Sequence, residues 1–166
     1  MNENRKIQII DADYHELFSI PDGGSIVVTR PDGEEHIGVC KYLDETHFQI
    51  NGSCWHICQF AEMVENSGAS VKPETEPEIN HGYRIIQRVP ACDKSFKFGF
   101  NPEAVQKYVT WQSYPDNSDR YDWGHYWSDK SIAKRDLFLR ADAERRGIPY
   151  DHTKLIKQSR IREAVR

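Results

Sequence analysis

Apolar positions in the first part of the chain come in short runs separated by turn residues. Ile7-Gln8-Ile9-Ile10 and the β-branched run Ser25-Ile26-Val27-Val28-Thr29-Arg30 each predict a strand. Pro21-Asp22-Gly23-Gly24 and Pro31-Asp32-Gly33-Glu34 are turns, the proline presetting φ and the glycine accepting a positive φ. His36 to Leu43 pairs back as the next strand. His47-Phe48-Gln49-Ile50, then Asn51-Gly52, then Ser53-Cys54-Trp55-His56 spell a tight hairpin. The period then changes: Ile57, Phe60, Ala61 and Val64 fall at i, i+3, i+4 and i+7, a helical stripe that Gly68 ends. Residues 1–70 therefore predict an acidic β-meander covered by one helix.

From Val71 to Asn80, Pro73 and Pro77 interleave with Glu74, Glu76 and Glu78, which predicts an extended, poorly packed linker over 71–80. Residues 81–149 repeat the order of strands followed by a helix. Tyr83 to Val89 predicts a strand ended by Pro90. Phe96, Phe98 and Phe100 alternate with Ser95, Lys97 and Gly99, the period of a half-buried strand. Tyr108 to Gln112 and Tyr121 to Trp127 add two strands, with a polar loop over Ser113 to Arg120. Ser128 or Asp129 caps a helix to about Arg146, stopped by Gly147 and Pro149; its predicted core stripe is Ala133, Leu137 and Ala141, flanked by Ile132 and Phe138. Residues 150–166 predict a basic helical tail. The fold class expected is α+β: two small modules, each an antiparallel meander covered by one helix, plus that tail.

Charge sharpens this division. Residues 1–80 hold 5 Lys/Arg against 15 Asp/Glu, and residues 81–166 hold 17 against 11, within an overall charge of −4. An acidic half joined to a basic half implies separate partners, halves that attract each other, or two ordinary solvated surfaces. The polar start from Met1 to Lys6, and the absence of an apolar run near the roughly 20 residues of a bilayer span, point to a cytoplasmic chain with no membrane partner. In that setting Cys40, Cys54, Cys58 and Cys92 are expected to be reduced thiols.

Candidate chemistry is sparse. Cys54-x₃-Cys58, with His56 between, has a spacing open to zinc, and His36-x₃-Cys40 offers a second pair. On one strand, however, His36 and Cys40 stand roughly 13 Å apart, too far to share an ion. Core packing accounts for these cysteines, and neither a metal nor a cofactor is expected. Cys92 has only Lys94 as a local cation beside Asp93, and His125 with Asp122 lacks a nucleophile, so no catalytic residue is assigned and an enzyme is not expected. The aromatic segment Tyr121-Asp122-Trp123-Gly124-His125-Tyr126-Trp127 has two readings. As a regular strand it puts Tyr121, Trp123, His125 and Trp127 on one face. Asp122, Gly124 and Tyr126 take the other; the rings either form the core under the helix or, if one face is exposed beside Lys107, Arg120 and Lys130, stack on bases or anchor a protein partner, with Trp111, Arg120, Tyr121, Trp123 and Tyr126 as the candidates. The tail cations Lys154, Lys157, Arg160, Arg162 and Arg166 either contact phosphates or an acidic groove, or line a solvated helix.

Two stretches carry a resemblance. His56-Ile57-Cys58-Gln59-Phe60-Ala61-Glu62-Met63-Val64-Glu65, preceded by Tyr42-Leu43-Asp44-Glu45-Thr46-His47-Phe48, is one. Tyr108-Val109-Thr110-Trp111-Gln112 with Tyr121-x-Trp123-Gly124-His125-Tyr126, followed by a helix containing Arg135-Asp136, is the other. The pair resembles uncharacterised accessory proteins of conjugative and other mobile elements of Firmicutes, including the large-polyvalent-protein-associated domain families. The resemblance transfers no site residue. It implies a context in which small proteins shield the element from host defences, by stoichiometric anti-restriction or anti-CRISPR inhibition. The function expected is a non-enzymatic binding protein whose partner is a host protein, a nuclease or its nucleoprotein complex, met by the acidic residues Asp22, Asp32, Glu34 and Glu35. The alternatives are a nucleic-acid-binding accessory protein using the basic half, and a zinc- or thiol-dependent enzyme.

Overall fold

The computed structural model describes residues 5–165. Among them are twelve strands and three helices, mostly antiparallel sheet, so the fold is α+β. The chain divides into two compact units, Met1–Glu76 and Pro77–Arg166. The division falls within a few residues of the change in charge at position 80.

In unit 1, β1 (Lys6–Ile10) pairs with β2 (Glu16–Pro21), and β3 (Ser25–Thr29) pairs with β4 (Glu35–Tyr42). β4 continues into β5 (His47–Ile50), which pairs with β6 (Ser53–His56). The Asn51-Gly52 turn takes positive φ at both residues, 48° and 87°, as a two-residue hairpin with the right twist requires. Helix α1 (Ile57–Ser67) follows at once, capped by the imidazole of His56, whose Nδ1 accepts the Cys58 N–H at 3.1 Å. Gly68, at φ 68°, closes it in the left-handed conformation. Phe60 and Ala61 are buried from α1, and Ile57 and Val64 pack at the rim of the same core with Ile7, Ile9, Ile20, Ile26 and Phe48.

Half of the predicted linker is paired, and residues 74–78 between the paired ends lie outside any strand. β7 (Ser70–Pro73) adds to β3 in unit 1, and β8 (Ile79–Asn80) pairs with the start of β9 in unit 2. Proline and acidic composition had pointed to poor packing, but Pro73 closes β7 where a missing N–H is tolerated. β2 was not foreseen, because Glu16–Pro21 lacks a clean alternation.

In unit 2, β9 (Tyr83–Ala91), β10 (Lys94–Phe100), β11 (Tyr108–Tyr114) and β12 (Asn117–Trp127) form a meander. β9 runs through Pro90 instead of ending there. The expected loop over 113–120 is instead the end of a hairpin, with Tyr114 paired to Asn117. Helix α2 (Lys130–Arg146) is capped by Asp129, whose carboxylate accepts the Ile132 N–H at 3.0 Å, and by Gly147 at φ 64°. Ile132, Ala133, Leu137 and Ala141 seat it on Val89, Phe96, Phe98 and Trp127. Phe138, expected to flank that stripe, is 42% exposed. Helix α3 (Thr153–Val165) buries Leu155 against the same core, and Arg166 lies outside the described residues. No helix among the described residues is long and apolar enough to cross a membrane.

Candidate functional site

The four acidic candidates have different surroundings. Asp22 is exposed, but its Oδ1 accepts the Tyr42 N–H at 2.8 Å. Asp32, also exposed, accepts the Glu34 N–H at 2.9 Å, an Asx-turn contact that shapes the β3–β4 connection. Glu34 folds back beneath that turn to 6% exposure, with His36 Nε2 at 2.7 Å and Arg30 at 3.7 Å. It is therefore not part of an open acidic face, and Glu35 is half-buried. Carboxylates that do stand in the open on unit 1 include Asp13, Asp32, Glu45, Glu62, Glu65 and Glu76. Beside Asp32, a groove of about 610 Å³ lies between Val28, Pro31, His36 and the α1 residues Met63 and Ser67.

The aromatic strand departs from its predicted faces. Thr110 pairs with His125 and Gln112 with Asp122, so two steps on β11 match three on β12. This is a β-bulge, centred on Trp123 at φ 53°. The extra residue inverts the alternation. Tyr121 and Tyr126 now share a face with Trp111, while His125 and Trp127 lie on the face under α2. Gly124 is required at the bulge because a Cβ there would stand 2.8 Å from the Trp111 indole nitrogen.

These rings have divided fates. Trp111 is buried, and Tyr121 is half-buried, edge-on to Trp111 at 5.4 Å, with Lys97 4.7 Å above it and its hydroxyl donating to Glu78. Burial pushes the Glu78 carboxyl up, but bonds from Lys97, Tyr121 and Arg88 outweigh that and hold it below its ordinary value. Tyr126 is 40% exposed and Trp123 is 74% exposed. Arg120 is committed to Asp122 at 2.9 Å and lies over the Tyr114 ring at 4.9 Å. The open part of the aromatic site is Trp123 with Tyr126, in a strand that also carries Asp119 and Asp122.

On α3, Lys154, Lys157 and Arg160 are exposed. Arg162 is not a free cation: its guanidinium donates to Asp129 at 3.1 Å and Ser131 at 2.9 Å, tying α3 to the start of α2.

A polar cluster that sequence reasoning missed lies between α2 and the sheet. Asp136 is fully buried, and its carboxylate accepts from the Thr110 hydroxyl and faces His125 Nδ1 at 2.9 Å. Arg140 donates to the Thr110 carbonyl and hydroxyl, both at 3.0 Å, and lies 4.0 Å from Asp136. Burial pushes the Asp136 carboxyl up, but the bond and charge of His125, with Thr110 and Arg140, hold it below the usual carboxylate value. Tyr150 lies against this cluster, and burial followed by the Asp136 charge raises its phenol pKa. The signal was present in the spacing: Asp136 and Arg140 fall one residue before Leu137 and Ala141, on the inner stripe of α2.

Asp136 thus orients His125, which the sequence had set beside Asp122 instead. Cys92 is elsewhere, at the β9–β10 turn with its sulfur 3.9 Å from the Glu144 carbonyl. All four cysteines are free; Cys54 and Cys92 are exposed, and burial pushes the Cys40 thiol up to about 12. Among the described residues, no group of three or more His, Cys, Asp or Glu side chains is placed to hold one metal ion. The chain matches no protein-family model, no curated protein and no solved structure.

Proposed function

We propose that this chain is a non-enzymatic binding protein of a mobile genetic element that inhibits a host defence nuclease stoichiometrically. Unit 1 occupies the basic groove that the nuclease uses for nucleic acid. One observation carries this reading: the carboxylate excess is gathered in one compact unit, with 5 Lys/Arg against 14 Asp/Glu over residues 1–76. Such a body presents a negative field to a basic cleft and is steered into it at low salt. The mobile-element setting rests on the resemblance described above. The surface that acts is not the predicted quartet, since Glu34 is enclosed; it is Asp32 with the exposed carboxylates of α1, Glu62 and Glu65.

The test is titration of purified CRISPR effector and type I restriction nucleases with the full chain. Cleavage should stop near one equivalent, and Asp32→Lys/Glu62→Lys/Glu65→Lys should weaken inhibition at least about tenfold. Equal inhibition by that triple variant removes the mimicry.

A second reading, a nucleic-acid-binding accessory protein, is favoured by the outward row Lys154, Lys157 and Arg160 on α3. It predicts binding that weakens steeply with salt, and a triple alanine variant whose log K against log salt slope is shallower by about 3. A flat salt response in the wild type disposes of it. Trp123 and Tyr126 suit a protein anchor better than a base platform, because Arg120, the cation of that strand, is already paired with Asp122 and Asp119 adds a negative charge.

A further inference from the structure

Contacts of three kinds hold helix α3 to unit 2, the apolar one shared by Leu155 with Ile156. Leu155 is buried in the core at 3% exposure, and Arg162 bridges to Asp129. The third contact is a ring stack whose sign depends on pH. His152, just before α3, lies on His125 with ring centroids 3.9 Å apart and planes 18° from parallel. Trp127 flanks the stack, perpendicular to both imidazoles and 6.4 Å from each.

The lower ring has little freedom to move. His125 is fixed through Nδ1 by Asp136, which is itself held by Thr110 and lies beside Arg140. A stack of two imidazoles is attractive while at most one is charged. Two imidazolium rings at this distance repel, and His125 cannot swing away because it is bonded to the buried Asp136. We propose that the His125–His152 stack is a latch operated by protonation: it holds α3 on unit 2 at neutral pH, and a second proton on the pair releases α3.

The charged and titratable groups facing the stack set its direction. On α2, Asp136 favours a proton and Arg140 opposes one. On β12, His125 opposes a second proton. On the connecting segment, Asp151 favours one, and Tyr150 is neutral over the relevant range. Burial first, and His125 next, bring the His152 imidazole below its ordinary value. A histidine lowered in the folded state is stable when neutral. Its contribution to docking is therefore complete above the unfolded value of about 6.5 and is lost as pH falls through the lower folded value. The two protonation steps belong to the pair. Release would uncover the site of Leu155 and free a helix carrying Lys154, Lys157 and Arg160.

The experiment is hydrogen exchange of the full chain at pH 7.5 and 5.5, corrected for intrinsic rates. Protection at Leu155 to Arg162 should fall severalfold on acidification, with about tenfold the most that one imidazole of unfolded value near 6.5 can supply, while amides of β10 and the centre of α2 stay unchanged. His152→Phe keeps a stacking ring without the charge, so its α3 protection should not respond to pH. Unchanged wild-type protection overturns the proposal, as does an equal loss in His152→Phe. If that variant does not fold, imidazole NMR titration of the wild type decides. Two unequal steps, with His152 protonating below about 6.5, support the latch; two independent ordinary titrations overturn it.

Discussion

Helix α1 meets its sheet through apolar contact, whereas α2 carries a carboxylate and a guanidinium inward with its alanines and leucine. On α1 the contact is Phe60, edge-on to Phe48 at 5.4 Å and to Trp55 at 5.8 Å. On α2, Asp136 and Arg140 meet Thr110 and His125 beneath the helix. Apolar contact is non-directional and tolerates repacking. A buried polar network fixes one register, because a slip strands a charge away from water. Unit 1 is therefore expected to forgive changes of shape that unit 2 does not.

The most disruptive test of this contrast is Asp136→Ala. It leaves Arg140 buried without its carboxylate and should cost about 3–5 kcal/mol in urea unfolding followed by tryptophan fluorescence. The same carboxylate gives unit 2 an acid limit. Its folded pKa is depressed, so its stabilisation is present above the unfolded value of about 3.9 and disappears as pH falls through the folded one. Asp136→Asn should flatten stability against pH below about 4.

Near-isosteric swaps sharpen the comparison further. Met63→Leu on α1, at the rim of the unit 1 core, should cost less than about 1.5 kcal/mol, while Asp136→Asn at pH 7 should cost about 2–3 kcal/mol by unbalancing Arg140 and His125. Equal costs would mean that the two helices are seated alike. Gly124→Ala should cost about 1–3 kcal/mol, because its methyl group meets the Trp111 ring. The smallest change is Gly68→Ala after α1, about 1 kcal/mol, set mainly by the left-handed backbone, with a Cβ 3.2 Å from the Pro31 ring adding to it.

Much of this architecture could be read from the chain because it is written locally. Asn51-Gly52 dictates its hairpin, and Gly68 and Gly147 end their helices, whereas the Phe96, Phe98 alternation, read as a strand with one buried face, belongs to one buried on both, with Lys97 only 4% exposed and Gly99 buried. Three features depend on partners distant in sequence and were not legible in that way. Glu16–Pro21 becomes a strand only because β1 is there to pair with it. Glu34 looks like a surface acid until the turn at Asp32 folds it under Arg30 and His36. Asp136 and Arg140 look like solvated helix charges until Thr110 and His125 arrive from the sheet. The candidate surfaces were legible as composition, but which members stand open was not: Trp111 and Arg162 are committed internally, and Trp123, Lys154, Lys157 and Arg160 are not.

The bulge at Trp123 also bears on how the gene can change. On either side of it the alternation of β12 has opposite parity, like two strands spliced half a period out of phase. A point substitution leaves that phase intact. Loss of the single codon for Trp123 would reset it, turning Tyr121 toward α2 at the cost of one residue. Insertions and deletions here should therefore be far rarer among working copies than replacements of the exposed indole itself.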